Sequence, residues 1–120
     1  MLTKHSRATT KVVEQIFQKG RFVNSPNLTL KYIFNPDSKT VQVSCVAPKT
    51  VAKNAVKRNL LRRRGYRALE KYMKNFPAGI QAALVFGKNG LSVFGGSKTS
   101  THDPITTLQK EIEIILHKIN

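Results

Sequence analysis

The chain has 120 residues, 40% of them hydrophobic, with a formal net charge of +15 and a pI near 10.5. That length holds one domain with a modest core, and the composition excludes a chain that is disordered throughout. The charge calls for a polyanionic partner, whether nucleic acid, an anionic membrane surface or an acidic protein.

Residues 10–19 read as a first helix: Val12, Val13, Ile16 and Phe17 recur at helical spacing, Thr9 or Thr10 can cap it, and Gly20 ends it. RFVNSPN then reads as a turn region. Leu28, Leu30, Tyr32 and Phe34 alternate with Thr29, Lys31 and Ile33, as in a half-buried strand. Asn35-Pro36-Asp37-Ser38 has turn chemistry, and Val41, Val43 and Cys45 resume the alternation. The short connection predicts that these two strands pair antiparallel. Pro48 stops the second, because proline has no N–H for the ladder. A long helix is expected from about Asn54 to Lys74, then an apolar strand over Gln81–Phe86, central or covered on both faces. Residues 87–101 are rich in glycine and serine and read as a mobile loop. Asp103-Pro104 starts a final helix, with Ile105, Leu108, Ile112, Ile115 and Leu116 on its apolar side. The order is αββαβα: an α+β sandwich, with helices packed on a small sheet, forming one domain over residues 1–120.

Residues 49–74 hold ten Lys/Arg against one Glu. Advancing 100° per residue from Val56, Leu61, Gly65, Ala68, Leu69 and Tyr72 fall within one arc, which docks on a core. Lys53, Lys57, Arg63, Arg64, Arg67, Lys71 and Lys74 fall on the other side, with Leu60 among them. Gly65 lies centrally in the apolar arc, where close packing of helix on sheet accounts for it. Arg58 falls near the apolar arc, placed to reach around the helix start toward a ligand or a carboxylate. Surface-inserting helices expose bulky apolar side chains, and folding uses those here, so nucleic acid is the expected partner and no membrane is. No apolar run reaches the ~18 residues that a membrane span needs. The segment MLTKHSRATTKVVEQ lacks the apolar core of a secretory signal, so a cytoplasmic location is expected.

Little else carries chemistry. The single cysteine, Cys45, lies in the apolar stretch VQVSCVA and reads as a small core residue. The six acids are scattered over loops and helix surfaces, and the three histidines lack ligand spacing, so neither a catalytic residue nor a protein-held metal is expected. Phe17, Tyr32 and Lys31 supply rings and charge suited to stacking unpaired bases. Phe17 serves that role or fills the core; Tyr32 is better suited to the core.

Val-Lys-Arg-Asn-Leu-Leu-Arg-Arg, residues 56–63, resembles the signature of the bacterial ribonuclease P protein subunit, an Arg-Asn-Arg core followed by an aliphatic and two basic residues. Arg58, Asn59, Leu61, Arg62 and Arg63 match, and Val46-Ala47-Pro48-Lys49 resembles the strand end that precedes it. The likeness runs over roughly residues 8–118. It implies a left-handed βαβ crossover and the fold of the second domain of ribosomal protein S5. It also implies a subunit that joins a catalytic RNA to remove the 5′ leader of precursor tRNA, with Mg²⁺ bound mainly by the RNA and no DNA partner. Lys49, Lys53, Lys57, Arg58, Asn59, Arg62, Arg63, Arg64 and Arg67 would then face the catalytic RNA. Val13, Phe17 and Lys31 would line the leader cleft. Three positions depart from the family pattern: Leu60 replaces the motif's second arginine, Val13 a second aromatic, and Lys31 a strand tyrosine. Tyr32 stands one position off and faces the other way. A structural RNA-binding module, such as a small ribosomal protein, is the alternative that the basic helix alone permits.

Overall fold

A computed structural model describes residues 10–37, 39–96 and 103–119. Helix α1 spans Thr10–Lys19 and ends where the Gly20 amide donates to the Ile16 carbonyl at 2.7 Å. A Cβ at Gly20 would press on that same carbonyl oxygen, so the chain turns here only as glycine. The cap expected at Thr9 or Thr10 lies outside the described side chains.

Strand β1 (Arg21–Asn24) corrects the expected turn over RFVNSPN; only Ser25–Asn27 turn. It pairs antiparallel with β2 (Leu28–Phe34), Arg21 opposite Tyr32 and Phe22 opposite Lys31. It is an edge strand with three of its four side chains exposed, so no burial alternation marks it in the sequence. A second correction concerns β3 (Gln42–Val46), which does not pair with β2. Strand β4 (Ile80–Phe86) lies between them, antiparallel to β2 and parallel to β3, in the order β1-β2-β4-β3. The reason is burial. β4 is apolar on both sides and takes the central position, with five of its seven residues buried.

Helix α2 runs Ala55–Glu70, shorter than expected. After it the Tyr72 amide donates to the Leu69 carbonyl, and a 3₁₀ turn covers Met73–Asn75. Phe76 is already extended, as a residue before proline prefers, and both Tyr72 and Phe76 are buried. The stretch expected as a loop contains a short helix, α3 (Gly90–Phe94), held by the buried Phe94 ring 5.8 Å from that of Phe86. Residues 97–102 lie outside those described. Helix α4 (Pro104–Ile119) starts as expected, Asp103 Oδ1 accepting from the Ile105 amide at 3.0 Å.

The register sorts side chains onto two faces. Leu28, Leu30, Val43, Cys45, Ile80, Ala82, Leu84 and Phe86 face α2 and α4 and form the main core with Leu61, Leu69, Leu108 and Ile112. Lys31, Ala83 and Ser44 lie in one row on the opposite face, against which α1 seats the fully buried Ile16. The fold is thus α+β, with helices on both sides of a four-stranded mixed sheet. Cys45 is buried in the core, as its apolar surroundings in the sequence predict.

Gly65 sits where α2 crosses the sheet. A Cβ there would stand 2.8 Å from Cys45 Sγ and 3.2 Å from the Phe86 ring. Overpacking costs about 1–3 kcal/mol, while alanine gains about 1 kcal/mol of helix propensity over glycine. Gly65→Ala is therefore expected to lower stability by about 1 kcal/mol in denaturant titrations. An increase would mean that the helix shifts freely on the sheet.

Candidate nucleic-acid interface

The basic helix begins from a tightly folded approach. Val51 and Ala52 amides both donate to the Pro48 carbonyl, and Asn54 Oδ1 caps α2 by accepting from the Val56 amide at 2.7 Å. Arg58 closes this turn, its Nη1 donating to the carbonyls of Ala52 (3.0 Å) and Lys53 (2.7 Å). Arg58 thus reaches around the helix start, as its angle suggested, but toward backbone oxygens rather than a carboxylate. It ties the Ala52–Lys53 backbone to the start of the helix; Lys53, and Lys49 earlier in the turn, are exposed. Arg64 is spent similarly: its Nη1 donates to the Phe94 and Gly96 carbonyls, each at 2.6 Å, and pins the end of α3.

The remaining cations face solvent. Lys57, Arg62, Arg63 and Arg67 are exposed, and Arg62 reaches the Asn59 side-chain oxygen. Arg63 and Arg67 are four apart and so share a ridge of the helix. The apolar side chains beside them are Val56, 69% exposed, and Leu60, half-buried. Of the nine residues predicted on this surface, seven are exposed and two, Arg58 and Arg64, are half-buried and engaged with backbone carbonyls.

On the other face of the sheet, Lys31 Nζ lies 4.8 Å from the centre of the Phe17 ring, a cation–π contact. Phe17 is 43% exposed, which resolves its two possible roles toward the surface, and Val13 lies one turn before it. Lys31 of β2 thus meets α1 at Phe17, with Val13 on the same side of that helix. Sequence reasoning missed Phe22. It is 63% exposed and directly opposite Lys31 in the β1–β2 ladder, on the same face. Its only sequence signal is a phenylalanine next to Arg21, which has no meaning until β1 exists. Tyr32 faces the other way and packs at the margin of the main core.

The acids are less scattered than the sequence implied. Glu111, expected on a helix surface, is buried and accepts from Ser25 Oγ (2.6 Å), the Asn27 amide (2.7 Å) and Asn27 Nδ2 (2.9 Å). Glu113 accepts from the Tyr72 hydroxyl at 2.5 Å. Burial first, then this hydrogen bond and the Glu113 charge, push the Tyr72 phenol up to about 12. A raised phenol pKa adds stability below pH ~10 and loses it as pH rises toward 12. Tyr72→Phe should flatten this alkaline limb in circular-dichroism melts; an unchanged limb would assign it to other groups. Among the described residues no three His, Cys, Asp or Glu side chains group as metal ligands. No described helix is long and apolar enough to cross a membrane.

This geometry has known counterparts. The family model for ribonuclease P matches residues 3–120. The ribonuclease P protein of Thermotoga maritima superimposes with a TM-score of 0.76 at 16% identity, over 95% of this chain and 97% of that one. The Staphylococcus aureus ribonuclease P protein gives 0.75 at 14% identity, over 98% and 97% of the two chains. A mutant of the S. aureus protein, described as defective in mRNA degradation activity, gives 0.75 at 16%, over 97% and 89%. A search of curated proteins finds no match. The structural likenesses establish the fold and the family model the lineage: the chain belongs to the ribonuclease P protein family.

Proposed function

We propose that this protein works as the ribonuclease P subunit in which α2 binds the catalytic RNA and the Phe17–Lys31 surface binds the 5′ leader of precursor tRNA. The observation that carries the leader assignment is the Lys31 ammonium held over a half-exposed Phe17 ring. A ring takes the face of an unpaired base and a neighbouring ammonium takes its phosphate. Phe22, across the ladder from Lys31, extends that surface and offers the ring that neither Lys31 nor Val13 supplies. The α2 cations and the Phe17 surface belong to opposite faces of the sheet, so the protein can hold both RNAs without competition.

The chemistry itself is assigned to the RNA. Glu111 and Glu113 are occupied by hydrogen bonds and the described acids form no cage, so these residues do not suit a catalytic Mg²⁺. The protein's part is electrostatic: it neutralises phosphate repulsion between two RNAs and so lowers the Mg²⁺ needed for their association.

Reconstitution tests this reading. Protein added to a bacterial ribonuclease P RNA should stimulate cleavage of precursor tRNA at the mature 5′ end at low Mg²⁺, relative to RNA alone. Tight RNA binding without stimulation, also with the cognate RNA, would leave a structural RNA-binding protein. Phe17→Ala should reduce the preference for precursor over mature tRNA by roughly fivefold or more, as stacking is worth about 1–3 kcal/mol per base. An unchanged preference would remove Phe17 from the leader surface.

A further inference from the structure

A second ring–cation cluster lies away from both surfaces. At the end of the β1–β2 ribbon, where α1 gives way to β1 and past the margin of the main core, a groove of about 320 Å³ is lined by Lys19, Arg21, Tyr32, Ile33 and Phe34. Tyr32 and Phe34 alternate along β2 and so point to the same side, their rings edge to face with centres 5.8 Å apart. Arg21 is opposite Tyr32 in the ladder, which places it on this same face and away from Lys31. Phe34 is 51% exposed although it continues the row of the buried Leu28 and Leu30. Gly20 fixes the corner, because its close approach to the Ile16 and Tyr32 carbonyls joins the end of α1 to β2.

Core packing does not account for Phe34. A single exposed ring is ordinary on a protein surface, but here two touching rings share a groove with two exposed cations. Among the described residues no carboxylate lines the groove. Its volume is at the lower end of the about 300–1,000 Å³ typical of ligand sites, enough for one planar group and not for a duplex. Rings for a π-face beside cations for a phosphate are the components of a single-strand nucleotide site.

We propose that this groove binds one unpaired nucleotide of RNA, with the base on Phe34 and Tyr32 and its phosphates on Lys19 and Arg21. The proposal shares with the functional reading only that the partner is RNA. It does not depend on the Phe17 surface, which lies across the sheet. A single-stranded segment could then be held at two points, one on each side of the β1–β2 ribbon.

Photocrosslinking of the full chain separates the two sites. The probe is a ten-nucleotide single-stranded RNA carrying 4-thiouridine, and trypsin releases Phe17 on fragment 12–19 and Phe34 on fragment 32–39. Label is expected on both. Phe34→Leu should cut labelling of 32–39 about fivefold or more and leave 12–19 unchanged, while Phe34→Trp should retain it. Arg21→Gln, a surface change that leaves both rings in place, should lower the 32–39 label as well. Label confined to 12–19, or equal loss in the Leu and Trp variants, would overturn the groove and leave the leader reading standing. Label confined to 32–39 would support the groove and sink the leader reading. Polyglutamate or duplex RNA displacing the 32–39 label as well as unlabelled single strand does would overturn the nucleotide assignment.

Discussion

Replacing Lys57, Arg63 and Arg67 together with alanine is expected to weaken binding to the catalytic RNA roughly a hundredfold near physiological salt. Each phosphate contact releases condensed counterions, so log K falls with log[salt] by about 0.9 per contact. Removing three contacts should therefore also flatten the salt slope by about 2.7. These three side chains are exposed, and none of them holds a loop in place as Arg58 and Arg64 do. The fold should survive, with an unchanged far-ultraviolet circular-dichroism spectrum and melting temperature. Arg58→Ala is expected to differ, because it releases the Ala52 and Lys53 carbonyls and loosens the turn that carries Lys49 and Lys53. Its loss of affinity would accompany a lower melting temperature. Filter binding across a salt series distinguishes the two cases. A triple variant with the parental salt slope would place the RNA elsewhere on the protein.

Glu111→Ala is expected to destabilise the protein by about 3 kcal/mol. The carboxylate is buried and accepts three hydrogen bonds from the β1–β2 turn. Without it, the Asn27 amide, the Asn27 side chain and the Ser25 hydroxyl lose their acceptor, and unmet buried donors cost about 1–3 kcal/mol each. Water reaches the half-buried turn and offsets part of that cost, which favours the lower end of the sum. The melting temperature should fall by roughly 10 °C. A functional consequence follows from the register. Lys118 Nζ donating to the Asn24 carbonyl, and the Gly87 amide donating to the Asn27 carbonyl, hold the same turn from two further sides. The turn keeps Phe22 opposite Lys31, so Glu111→Ala should also lower leader affinity before global unfolding. Glu111→Gln, which retains an acceptor oxygen, should lie between the two. A loss below about 1 kcal/mol for Glu111→Ala would mean that solvent replaces the carboxylate fully.

The motif departures take on physical meaning in this setting. Leu60 stands where the family pattern has an arginine, and it is half-buried beside the exposed Val56. The exposed cations on this side of the helix are Lys57, Arg63 and Arg67. Lys31, which replaces a strand tyrosine, exchanges stacking area for charge. Phe22 restores a ring one strand away.

The sequence by itself determined the elements whose signal is local. Helices α1 and α4, strands β2, β3 and β4, and the segregation of charge from the apolar arc of α2 all follow from periodicity, caps and glycine placement. The packed Gly65 and the buried Cys45 were legible too, the first from its place at the centre of the apolar arc of α2 and the second from its apolar stretch. Family likeness added the candidate residues, because the Arg58-Asn59 motif is contiguous in the chain. Tertiary structure decided what depends on neighbours distant in sequence. Strand β1 exists only because β2 offers its backbone, and β4 separates β2 from β3 because only that arrangement buries both of its faces. The separate uses of the basic residues were only partly visible: its helix angle marked Arg58 as turning toward the helix start, but nothing in the sequence indicated its carbonyl partners or those of Arg64. Arg58 and Arg64 carry the same charge as Arg63, and only the carbonyls folded against them make two of these side chains structural and leave the third exposed.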